Sequence, residues 1–130
     1  MSLSLVNTFL VFCAVVFFPY GLVCLSNPGM LAEVAGIGAE SASGTTELRA
    51  MYGGVQTSIG VMALVAFFRP TLVESFLVML ATFSVGLLTA RLAGLLMDGG
   101  FNGYTGMALG FESVLASFSL FLLLSKRENS

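Results

Sequence analysis

Four long runs of apolar side chains alternate with short segments where Ser, Asn, Gly, Pro and the charged residues gather. A helix needs about 20 apolar residues to cross the hydrocarbon of a bilayer. The runs at about 4–25, 47–68, 71–97 and 107–124 all approach or exceed that length. In the first run Asn7 is the one strongly polar side chain, and Pro19 with Gly21 predicts a kink near its far end. Membrane helices tolerate such a proline when neighbours satisfy the freed carbonyl. Ser26-Asn27-Pro28 then reads as a helix start, with Asn27 as cap and Pro28 in the first turn. Met30, Leu31, Val34 and Ile37 follow on one side with Glu33 outside the stripe, so about 28–37 predicts a short helix lying in the interface. Glu40 to Thr46 reads as a polar connection. Arg69-Pro70 ends the second run, and Thr71 with Glu74 has the spacing of a capping box for the third. Asp98 to Gly106 reads as a glycine-rich turn, and Ser125 to Ser130 as an exposed tail. The expected fold class is all-α: an integral-membrane four-helix bundle, one transmembrane domain over 1–130, with a short interfacial helix between spans one and two.

Composition supports this reading. Of 130 residues 57% are hydrophobic and 9% charged, against about a quarter charged in soluble domains. So thin a coat of charge excludes a soluble globular enzyme. No Lys or Arg precedes the first run, and no small-x-small cleavage site follows it. Val23 is too large for the position before a lipoprotein cysteine, so the first run reads as a retained span. The chain has no His and no Trp, which excludes His-ligated haem, His-containing metal sites and Ser-His-Asp or Cys-His relays. No cofactor, metal ligand set or catalytic residue is expected. Cys13 and Cys24 stand about 16 Å apart along a helix, beyond the reach of a disulfide, and read as small apolar side chains. A net charge of -2 offers no basic patch for nucleic acid.

The cations orient the chain. Arg69, Lys126 and Arg127 fall on one side, while Glu33, Glu40 and Asp98 fall on the other. Basic residues stay cytoplasmic, so both termini are expected in the cytoplasm. Small residues spaced by four (Gly86, Ala90 and Gly94; Gly106 and Gly110), and Gly53-Gly54 beside Thr57 and Ser58, predict close helix contacts in lipid.

Charge then gathers at one depth. Arg49, Tyr52, Gly53, Gln56 and Gly60 share a face by helical spacing, with Glu47 in the same first turn. Arg91 lies about 10 Å below the end of span three, and Glu112 about 8 Å into span four. Each charge near a helix centre costs roughly 2.5–3.5 kcal/mol on insertion scales, so these groups should face inward and pair. The simplest arrangement sets Arg49 and Arg91 against Glu112, Glu47 and Asp98, with Tyr52 and Gln56 as neutral partners. Two readings stand side by side: an ion-pair network that fixes helix register, and a polar pocket for a ligand headgroup. Two guanidinium forks would suit an anionic or carbonyl group. Glu74 is accounted for by capping.

The segments Glu47-Leu-Arg49-Ala-Met-Tyr52-Gly53-Gly54-Val-Gln56, Arg91-Leu-Ala-Gly94 with Asp98-Gly99, and Glu112 resemble an uncharacterised bacterial family of short four-span membrane proteins, domain of unknown function 4345. More distantly the chain is similar to DoxX-like four-span proteins, some of them linked to quinone redox complexes. The resemblance implies a four-helix inner-membrane protein and brings no activity with it. The expected role is a small non-catalytic protein of the bacterial inner membrane, an accessory subunit or a binder of a lipid-like ligand. Its expected partners are the bilayer, a lipid or quinone ligand, and a membrane-protein partner or second copy. The alternatives are a quinone-handling oxidoreductase subunit and a small proton- or ion-coupled transporter with Glu112 as carrier. The transporter is weakened because the inner half holds only apolar, Ser and Thr side chains.

Overall fold

A computed structural model describes residues 3–128, with side chains through Lys126; the Arg127 side chain, one of the orienting cations, lies outside the described residues. The described chain contains helices, turns and no strand. Helix α1 is Leu3–Ser26, α2 Met30–Ala35, α3 Ala42–Leu48 and α4 Val55–Phe68, with a π-helical turn, Arg49–Gly54, joining α3 to α4. A tight turn, Pro70–Leu72, leads into α5 (Val73–Asp98), and α6 is Gly103–Glu128. Four helical segments have the length and composition to cross a membrane: Leu3–Ser26, Ala42–Phe68, Pro70–Asp98 and Gly103–Lys126. The all-α class expected from the apolar runs is the class found. The chain forms two compact units, one ending at Thr71 and the other beginning at Leu72.

In the first unit α1 packs along α4 and the π-turn. Helix α1 runs unbroken through Pro19 and buries Phe9, Leu10, Cys13, Ala14, Phe17 and Cys24. The opposing face of α4 is small: Ile59, Gly60, Ala63 and Ala66 are buried. A Cβ built at Gly60 would lie 2.7 Å from the Phe18 main-chain nitrogen, and one at Gly53 2.8 Å from that of Leu25. A Cβ at Gly21 would collide with the Thr57 main chain. These three glycines let the two backbones touch, which is where packing energy comes from when lipid removes the hydrophobic drive. In the second unit α5 and α6 run antiparallel over a core of Phe76, Leu77, Leu80, Leu115, Ala116 and Leu122.

The structure corrects several boundaries, and hydrogen bonding gives the reason in each. Asn27 does not cap α2, because its amide closes the last turn of α1 on the Val23 carbonyl at 2.8 Å. The short helix begins only at Met30 after Gly29, which contributes no side-chain cap. Its stripe is anchored by the buried Leu31, while Val34 is exposed. The supposed polar connection 40–46 already contains the start of α3, since the Ser41 hydroxyl accepts from the Gly44 amide at 3.1 Å. The expected capping box at Thr71 and Glu74 is not formed. Leu72 stands at the cap without a side-chain bond, and the Glu74 carboxylate accepts from Lys126 at 3.1 Å instead. Gly99, at a positive φ of 69°, ends α5. Helix α6 then starts four residues ahead of the expected Met107, because Asn102 Oδ1 accepts from the Thr105 amide and hydroxyl at 2.9 and 3.0 Å. At its other end α6 continues to Glu128, so much of the expected tail is helix. The small residues of spans three and four do not form the expected contact: a Cβ at Gly86 or Gly110 would meet nothing within 4 Å.

Candidate functional site

Among the described residues of α6 the one buried carboxylate, Glu112, lies close in depth to the arginine of α5. Arg91 lies two turns before the end of α5, about 10 Å from it, and Glu112 lies nine residues after Gly103, about 13 Å into α6. In an antiparallel pair with a short turn these depths nearly coincide. Arg91 Nη2 donates to Glu112 Oε1 at 2.7 Å, while Nε donates to Oε2 at 3.1 Å and to Oε1 at 3.3 Å. This is a forked guanidinium–carboxylate pair, the geometry in which arginine binds carboxylates most strongly. Glu112 keeps 5% of its surface exposed, while the Arg91 side chain keeps 28%. The carboxylate is therefore the inner member of the pair and the guanidinium faces outward.

Outward of the pair lies a recess of about 200 Å³, lined by Arg91, Gly94, Leu95, Asp98, Gly100 and Thr105. Asp98 is exposed and, among the described residues, makes no ion pair. Thr105, which sequence reasoning assigned to a turn, belongs to the lining because α6 has already begun there. A signal for it was present: it precedes Glu112 by seven residues, two helical turns on the same face. Taken together Arg91, Glu112 and Asp98 carry a formal charge of -1. The recess is thus not the cationic pocket that two arginines would have built.

Arg49 has other work. It was expected opposite a carboxylate, and its Nη1 instead donates to the Leu25 and Ser26 carbonyls, the latter at 3.3 Å. These are orphan carbonyls at the C-terminal end of α1, where the helix dipole favours a cation. The shared face drawn through Arg49, Tyr52, Gly53, Gln56 and Gly60 assumed α-helical spacing. Across Arg49–Gly54 the helix widens, and the Val55 amide donates to Ala50 five residues back, which shifts the register by one residue. Gly53 and Gly60 stay buried against α1, Tyr52 and Gln56 are half-buried, and Glu47 and Arg49 are exposed. Of the seven residues expected to cluster, Arg91, Glu112 and Asp98 lie around one pair and its recess. Glu47, Arg49, Tyr52 and Gln56 belong to the first unit.

A wider depression of about 400 Å³ opens beside Ser4, Asn7, Thr8, Val11 and Phe67 in the first unit. No charged side chain lines it, and the Thr8 hydroxyl is taken up by the Ser4 carbonyl at 2.7 Å. The smaller recess is therefore the better candidate site, since it holds ionisable groups.

A search among protein families matches residues 5–123 to the domain of unknown function DUF4345. The matched range includes the Arg91–Glu112 pair, Asp98 and Thr105. No curated protein and no solved structure matches the chain.

Proposed function

The chain belongs to the DUF4345 family, whose description carries no activity, and on that premise we propose that it is a small non-catalytic protein of the bacterial inner membrane, both termini cytoplasmic, that holds a lipid-like molecule by its headgroup. The observation that carries this reading is the recess above the Arg91–Glu112 pair. Its guanidinium is already balanced by Glu112, and the Asp98 carboxylate beside it has no ion-pair partner among the described residues. Ionisable groups on spanning helices are expensive and commonly mark ligand sites. A headgroup completing this set carries a positive group for Asp98 and an acceptor for the Arg91 side, which is the chemistry of a zwitterionic amine phospholipid. Anionic headgroups bring only the acceptor and meet a second carboxylate. Lys126, at the opposite end of α6 from the recess, supports the cytoplasmic placement of that end by the positive-inside tendency.

Mass spectrometry of the detergent-purified protein from a mixed bilayer tests this. Phosphatidylethanolamine should be retained in preference to phosphatidylglycerol, and Asp98→Asn should remove the preference while the protein stays monodisperse. Equal retention of the two lipids, or a preference unaffected by Asp98→Asn, would overturn the reading.

A further inference from the structure

The wider depression in the first unit has the outline of a helix-packing site. Ser4, Asn7, Thr8 and Val11 line it from α1 at i, i+3, i+4 and i+7, and Phe67 of α4 forms its side wall. Residues at those offsets are neighbours on one face of a helix. They are also the set of four that frames a hole for a side chain of an adjoining helix when knobs pack into holes. The same face continues along α1, where Thr8, Val11, Val15 and Leu22 are exposed and follow one another by three, four and seven residues. That is the stepping of a helix–helix seam.

Asn7 is the unexpected member of this hole. It is half-buried, and its carboxamide makes no hydrogen bond among the described residues. The adjacent Thr8 hydroxyl does not serve it, because that hydroxyl donates to the Ser4 carbonyl at 2.7 Å. A carboxamide offers two N–H donors and an acceptor oxygen. On a spanning helix such a group is ordinarily satisfied across the interface with another helix. No charged side chain lines the hole, so the group that completes it is neutral and both gives and accepts hydrogen bonds.

We propose that this face of α1 is the contact of a parallel homodimer, in which Asn7 hydrogen-bonds to its counterpart in a second copy of the chain. Membrane insertion supplies the match. Two copies inserted in the same orientation are related by a two-fold axis along the membrane normal, so every residue meets its counterpart at its own depth. The carboxamide is its own complement there, each amide giving one N–H to the other's oxygen across the axis. A foreign helix would have to carry a group of that kind at that level; a second copy always does. One polar residue in a seam fixes register and the number of helices, and Val11, Val15 and Leu22 extend the contact along the helix. The dimer is independent of headgroup binding, whose recess belongs to the other unit.

The full-length chain is reconstituted in phosphatidylcholine–phosphatidylglycerol vesicles. Asn7→Cys, oxidised with copper phenanthroline, should give a disulfide-linked dimer that persists on dilution with excess lipid. The wild-type chain, whose Cys13 and Cys24 are buried, should give none. Energy transfer between copies labelled at their C-termini reads the equilibrium. Asn7→Leu should weaken dimerisation about tenfold, the scale of hydrogen bonds between helices in lipid, whereas Asn7→Gln, which keeps the carboxamide, should retain most of it. Copies that stay monomeric at every lipid-to-protein ratio overturn the dimer, as does dimerisation equally strong in Asn7→Leu.

Discussion

Glu112 is nearly sealed from its surroundings, and the Arg91 fork is what makes a carboxylate tolerable there. Removing one member of such a pair leaves an uncompensated charge in low dielectric, a loss of about 3–5 kcal/mol. Arg91→Leu should therefore lower the melting temperature clearly in detergent. Replacing both members with Leu should restore much of it, because apolar side chains of similar volume often match a buried pair in stability. The double variant separates architecture from use: recovered stability with lost lipid preference would assign the pair to the ligand. If the double variant is as unstable as Arg91→Leu alone, the pair is not what holds α5 to α6. Arg49, identical in type, plays a smaller part, closing the end of α1 through carbonyl oxygens.

Between elements, contact follows from where side chains are missing. Gly21, Gly53 and Gly60 lie where α1 meets the second span with main chain against main chain. Gly60→Leu would place carbon atoms into the Phe18 backbone and should destabilise the first unit by at least about 1–3 kcal/mol, the usual penalty of overpacking. Gly110→Leu, where a Cβ meets nothing within 4 Å, should leave the melting temperature essentially unchanged. Thermal denaturation of the two variants side by side checks the contrast. Equal losses would mean that the α1–α4 crossing is not what sets the cost at Gly60, since helix propensity alone favours Leu over Gly at both positions. The four-residue spacing in the sequence could not make this distinction. It identifies small residues on one helical face without saying whether a partner lies over that face.

At the scale of the whole molecule, the proposed reading has all four segments that are long and apolar enough to span a membrane cross it, which puts both termini on one side. The proposed cytoplasmic placement of that side rests on Arg69 and Lys126, which follow the second and fourth of these segments, and on the positive-inside tendency. Single cysteines introduced beside Arg69 and Lys126 should react with an impermeant maleimide from the cytoplasmic face, and those beside Glu40 and Asn102 from the opposite face. Native Cys13 and Cys24 are buried and should contribute little background. Labelling in the reverse sense would invert the topology and place the recess, together with Asp98, on the cytoplasmic side.

The helical class and the number of spans were legible in the sequence, because apolar run length and the scarcity of charge respond directly to the thickness and dryness of a bilayer. The residues Arg91, Glu112 and Asp98 were legible as well, since charge inside an apolar run is conspicuous wherever its partner lies. The opposition of Arg91 to Glu112 was legible too, from their similar depths; the recess beside the pair was not. The recess depended on Asn102 capping α6 a full turn early, a local hydrogen bond that brought Thr105 into the helix and into its lining. Nor could spacing anticipate the π-turn at Arg49–Gly54, which changes the period on which any shared-face argument rests. Likewise Ser84 and Ser119 look ordinary in the chain, and their burial without a hydrogen-bond partner among the described residues is a property of the packed helices that neither serine carries by itself.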